Sequence, residues 1–183
     1  MPVRLRSVVC LSVPVLLLLG LSGCGGAGRD QFAPPCPSAR LIPEVADMTR
    51  YAGKGPAHDL TDLIVQARVL AVKGSCAAGD DKSVLPAKVQ VTIAVQRGPA
   101  MHGREVDVPV FLAVTEGETV RDKQVFPVHV VFPPNVDRLT MTSQEIDLAL
   151  PVSAQKTGAA YGIIAGFQLT PDELAANRHA AGQ

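Results

Sequence analysis

The chain has 183 residues, 47% of them hydrophobic, with aromatic residues at 4% and no tryptophan. This is enough to bury one sizeable core built from Val, Leu, Ile and Ala, and too short for a second domain to be expected. Lys and Arg number 17 against 17 Asp and Glu, so no long-range field draws in phosphate backbones and nucleic-acid binding is not expected.

At the start of the chain, Arg4 and Arg6 are followed by an apolar run over residues 8–21, interrupted only by Ser12, Pro14 and Gly20. About 14 residues fall short of the ~20 that a helix needs to cross a bilayer, and the pattern reads as a cleaved signal peptide over residues 1–23. The run closes on Leu21, Ser22, Gly23 and Cys24, which resembles the lipobox of bacterial lipoproteins. The resemblance implies that Cys24 is lipidated, becomes the first mature residue and anchors the chain in a lipid bilayer. An ordinary secretory signal with a cysteine near its cut is the alternative. By the same resemblance, Gly25 after the cysteine implies the periplasmic side of the outer rather than the inner membrane. Loss of residues 1–23 removes two arginines and no acid, leaving a net charge of −2.

Four cysteines then sort by position. Cys10 lies in the leader and Cys24 carries lipid, so Cys36 and Cys76 remain in an oxidising compartment, where two leftover thiols are expected to pair. A loop of their 40-residue separation is stabilised by roughly 4 kcal/mol when closed. The rival readings are a zinc site and a nucleophilic cysteine; no CxxC or HxxxH spacing supports the zinc site.

Residues 24–35 are rich in small residues and end in Pro34 and Pro35, the composition of a flexible linker. Residues 36–51 are mixed, with Pro43 blocking an early helix and residues 44–49 allowing one helical turn at most. From Leu60 the period becomes two. Over residues 85–95, Leu85, Ala87, Val89, Val91, Ile93 and Val95 share one parity, while Lys88, Gln90, Thr92 and Gln96 take the other, which places the aliphatics on one face of a strand. The same rule predicts strands over 63–71, 106–114, 126–132, 146–152 and 161–169, with a short one near 138–142. Turn signals at Gly79, Gly98-Pro99, Gly117, Pro133-Pro134 and Gly158 separate them.

About seven strands with one apolar face each predict an all-β, immunoglobulin-like antiparallel β-sandwich, a single domain over residues 36–183. Pro109 and Pro127 each remove a ladder donor, so their strands should be edges or bulged. In the tail, Thr170, Pro171 and Glu173 spell a helix cap, a first helical residue and a capping box. They predict a short C-terminal helix ending near Arg178, with Leu174 folding back onto a sheet edge.

The four histidines, His58, His102, His129 and His179, have no ligand spacing, and no metal or cofactor is expected. Asp80 and Asp81 beside Gly79 lack the alternating acids of a calcium loop. No G-x-S-x-G, S-x-x-K or P-loop pattern occurs. Glu116, Glu118 and Asp122 are close in sequence but read as a polar hairpin rather than a catalytic carboxylate pair. Residues 122–126, DKQVF, start a strand whose polar side chains either contact a partner or form a surface ion pair.

The lipobox leader, CP-x(4)-IPE-x-ADMTRY, DKQVF, VVFPPNVDRL and the ending GFQLTPDEL-x(2)-NR together resemble a family of small, uncharacterised cell-envelope lipoproteins of Gram-negative bacteria. The resemblance spans residues 36–178, implies a lipidated Cys24 and a periplasmic sandwich, matches Cys36 to a recurring cysteine, and transfers no catalytic residue. The expected role is a non-enzymatic interaction or accessory module with an envelope protein as partner. A small-molecule or glycan-binding lipoprotein is the alternative, and an envelope hydrolase a more distant one.

Overall fold

A computed structural model describes residues 35–53 and 59–181. The leader, Cys24, the linker up to residue 34 and His58 lie outside the described residues.

The described chain is a two-sheet β-sandwich with a short C-terminal helix. Its strands are β1 (Ser38–Leu41), β2 (Asp47–Tyr51), β3 (Leu63–Cys76), β4 (Val84–Arg97), β5 (Glu105–Glu116), β6 (Thr119–Val131), β7 (Arg138–Thr142), β8 (Ile146–Pro151) and β9 (Tyr161–Phe167). One sheet runs β1-β9-β5-β6; the other runs β2-β3-β4, with β7 and β8 both on the far edge of β4. All pairings are antiparallel except β1 with β9, where Ser38 lies opposite Gly162 and Leu41 opposite Ala165 in parallel register.

The described strands therefore number nine rather than about seven, and the sandwich is not wholly antiparallel. The two strands missed by pattern are β1 and β2. All four residues of β1 are exposed, and β2 buries Met48 alone, so neither carries an alternating run for pattern reading to find.

The core follows the predicted parity where alternation is clean. In β4, Leu85, Ala87, Val89, Val91, Ile93 and Val95 are all buried, facing Val108, Val110, Leu112 and Val114 of β5 across the sandwich. β3 starts in the same manner, with Leu63, Val65, Ala67 and Val69 buried, but a bulge leaves Leu70 without a partner. The extra residue moves the inward positions from odd to even, because a strand turns over with every residue added. Val72 now lies opposite Val91 and Cys76 opposite Ala87, so the strand runs five residues past its predicted end.

β7 and β8 lie end to end along β4, pairing with Thr92–Gln96 and Val84–Val89 respectively. Ser143 splices them. Its N–H donates to the Val91 carbonyl at 2.8 Å, its hydroxyl oxygen accepts the Val91 N–H at 3.0 Å, and the hydroxyl donates to the Gln144 carbonyl at 2.8 Å. The N–H and carbonyl of Val91 are thereby both paired at this junction, the N–H by a serine side chain.

The prolines correct one expectation. β6 is an edge, but β5 is central. Pro109 lies directly opposite Pro127, and its carbonyl accepts from Gln168 N–H at 2.9 Å, just beyond the end of β9. Both prolines thus occupy a non-hydrogen-bonded pair, with their missing donors turned away from each other. Pro109 faces the place where β9 has ended, and Pro127 faces the open edge of β6.

One side of the sandwich is closed. The helical turn α1 (Pro43–Ala46) crosses from β1 to β2, and Pro43 starts it rather than blocking it. Ile42 and Val45 cover Phe111, Ala113 and Ile164 on the outer face of the first sheet. Gly166 permits this approach, since a Cβ there would lie 2.6 Å from the Val45 Cγ2. The helix α2 (Pro171–Ala181) packs on α1 and β2. Its capping box forms as predicted, with Thr170 Oγ1 accepting from Glu173 N–H at 3.2 Å and Glu173 accepting from Thr170 N–H at 2.7 Å. Glu173 also takes Arg50 Nε at 3.0 Å, and the Asn177 amide donates to the Glu44 and Asp47 carbonyls at 2.9 and 2.8 Å. These bonds hold the helix three residues beyond its predicted end. Leu174 is half-buried.

Candidate functional site

The opposite side is open. There the edge strands β6 and β8 border a groove of about 730 Å³ whose walls include Val114, Leu148, Leu150 and Tyr161, with Asp122, Gln124 and Asp147 among its polar groups. The groove arises where the apolar alternation of β6 stops. Val128 and Val130 on the inward parity are buried, and Phe126 is half-buried. The next two inward positions, Gln124 and Asp122, lie opposite Leu112 and Val114 and are exposed. Polar side chains here prevent the second sheet from closing on the first, because burying them without partners would cost more than the contact returns. From residue 119 to 125, β6 is exposed on both faces.

A bulge between Val114 and Thr115 leaves Arg121 outside the ladder, and Arg121 Nε donates to Glu116 at 2.9 Å. The same carboxylate accepts Lys156 Nζ at 2.7 Å, and Lys156 stands 4.6 Å from the centre of the Tyr161 ring. The Tyr161 hydroxyl donates to the Pro151 carbonyl at 2.6 Å, tying β9 to the end of β8. The hydrogen bond from Lys156, followed by the charges of Arg121 and Lys156, holds the Glu116 carboxyl below its usual range, while Glu116 raises Lys156. Glu116 is thus an ionised acceptor bound to two cations, a poor proton donor at neutral pH. Asp122 accepts from the Gln124 amide at 3.0 Å. Glu116 and Asp122 are brought to one groove, Glu116 bound by Arg121 and Lys156 and Asp122 by the Gln124 amide.

Other sequence-singled residues are scattered. His129 sits exposed on the outer face with Asp107 at 2.9 Å, His102 lies in an exposed loop and His179 on exposed α2. Asp81 closes a turn by accepting from Ser83 N–H and hydroxyl at 2.8 and 2.7 Å, which hold its carboxyl below the usual range. Lys123, in the segment read as contacting a partner or forming a surface ion pair, stands 4.5 Å over the Phe111 ring. Among the described residues, no three His, Cys, Asp or Glu side chains converge as a metal site would need.

Cys36 and Cys76 form a disulfide with Cα atoms 5.8 Å apart. It joins the segment before β1 to the end of β3, using the parity that the Leu70 bulge sets. No helix among the described residues is long and apolar enough to cross a membrane.

Glu116 and Asp122 stand close in sequence, but nothing in the sequence links them to Lys156 or Tyr161. The signal was present in β6, where the inward positions 126, 128 and 130 are apolar and 122 and 124 are polar, but its meaning depends on which strand lies across the gap. No protein-family model, curated protein or solved structure matches the chain.

Proposed function

We propose that the protein is a lipid-anchored accessory module of the bacterial cell envelope, held by acylated Cys24 on the periplasmic side of the outer membrane, that engages another envelope protein without catalysing a reaction. The observation that carries this reading is the asymmetry of the sandwich. One side is closed by α1 and α2, and the other leaves two strand edges bordering a groove. Attachment to a membrane would raise the local concentration of such a module, so that weak contacts suffice. An immunoglobulin-like use of the sandwich, as a scaffold presenting edges and loops, belongs to the same proposal and is supported by hairpins that alternate between the sheets. So does membership in the small-lipoprotein family that the sequence resembles.

The test is photocrosslinking from intact envelopes with a crosslinking residue at Val120 beside the groove and, as control, at Ala176 on α2. A reproducible protein adduct from Val120 alone is expected; recovery of the uncrosslinked chain from both positions counts against the module. Cys24→Ser should release the protein from membranes or leave it unprocessed, and normal processing with unchanged fractionation refutes the anchor.

The second reading, capture of a small molecule or glycan, is favoured by the Tyr161 ring in the groove. That ring is covered by Lys156 and its hydroxyl is bonded to Pro151, which leaves little face for a sugar to stack on. A thermal-shift screen against envelope glycans separates the two readings, since a specific ligand raises Tm.

A further inference from the structure

We infer that the groove takes an extended, basic peptide segment of a partner protein, added as a strand to the free edge of β6. The inference rests on the module reading above and names its ligand chemistry.

The edge is prepared for this over residues 119–125. Because Pro109 and Pro127 form a non-hydrogen-bonded pair, alternation along the ladder turns the N–H and C=O of Lys123 and Val125 outward, where β6 has no neighbour among the described residues. A guest strand would exchange main-chain hydrogen bonds with these two residues. Pro127, with no donor to offer, ends the available edge and keeps the rest of β6 from pairing at random. Val120 and Val125 are 55% and 51% exposed, and a guest strand would cover them.

Charge then selects the guest. Side chains of a paired guest alternate, and those on the inward face stand beside Asp122 and Gln124. Asp122 has the Gln124 amide as its hydrogen-bond donor, whereas Asp147 across the groove is ion-paired with Lys88 at 3.7 Å. Arg121 and Lys156 are already on Glu116. A lysine or arginine of the guest therefore finds the Asp122 carboxylate on the β6 wall beside Gln124. An acidic residue at that position would meet Asp122 directly.

The test is fluorescence anisotropy of the full-length chain with a labelled heptapeptide, Thr-Val-Lys-Val-Thr-Val-Thr, against two relatives: one with Glu in place of Lys and one N-methylated at its valines. Saturable binding of the first is expected, with about tenfold loss on N-methylation as the edge hydrogen bonds are lost and weaker binding of the Glu peptide. Asp122→Asn should narrow the preference for Lys over Glu. Val125→Pro should abolish binding while thermal unfolding shows the variant folded. Equal binding of the N-methylated peptide, no saturable binding, or an undiminished Lys preference in Asp122→Asn overturns the inference. So does a concentration-dependent dimer in sedimentation that Val125→Pro dissolves, because the edge would then belong to a second copy. Crosslinked envelope partners without peptide binding sink this inference and leave the module; peptide binding without any envelope partner does the reverse.

Discussion

Replacing Cys36 and Cys76 together by serine opens a loop with a 40-residue separation and should destabilise the fold by about 4 kcal/mol, since the unfolded chain regains the entropy of that loop. The native state has little to offset this locally. The four residues of β1 are exposed and are held in the sheet by their ladder with β9. Against a total stability of about 5–15 kcal/mol, the loss is a large share. Urea denaturation without reductant is the assay: with a slope of about 2 kcal/mol/M, the midpoint should fall by about 2 M. Reduction of the unsubstituted protein should give the same fall, which separates the bridge from any effect of the serines. A midpoint shift below about 0.5 M in both experiments would refute the loop-closure reasoning.

Ser143→Ala leaves the Val91 N–H unpaired at the β7–β8 junction and should cost about 2 kcal/mol, lowering Tm by about 6 °C; an unchanged calorimetric Tm would contradict the splice. Gly98→Ala places a Cβ 2.7 Å from the Leu63 Cγ and against the Leu63 carbonyl, and should destabilise by about 1–3 kcal/mol in chemical denaturation through overpacking. Glu116→Gln should show a pH signature. The folded carboxyl titrates below its usual value of 4.5, so its stabilising contribution is present above that value and is lost as pH falls through the lower folded pKa. The stability gap between the unsubstituted protein and the variant should be constant from neutral pH down to about 5 and narrow on further acidification; a gap that does not change with acidification would sink the ion-pair account. Thr170→Ala should cost about 1 kcal/mol by removing the α2 cap, read as earlier fraying of α2 amides in hydrogen exchange.

The legibility of the chain follows the distance over which each feature is encoded. β4 was plain because six inward aliphatics in strict alternation need no partner to be recognised. The α2 start was equally plain, since a capping box is written within four residues. β3 was truncated in the reading because a bulge at Leu70 inverts parity, and residues 72–76 look polar and small until the new phase is known. β1 is a strand because β9 and the disulfide hold it there, a tertiary cause that SARL alone does not express. Pro109 misled for a similar reason: a proline in a central strand is tolerated where the neighbour stops one residue short. The groove was the least legible feature. Asp122 and Gln124 mark it, but a polar pair on an edge strand gains meaning only from Leu148 and Leu150 across the gap.

The disulfide also determines how the fold carries a mechanical load. A pull on the chain ahead of Cys36 does not have to travel along β1, whose four ladder pairs would otherwise be sheared one against another. The force is shunted through the covalent bridge into Cys76, at the end of β3, where that strand pairs with β4 through Cys76 and Ala87. The β3–β4 ladder therefore bears the tension, and β1 is left slack.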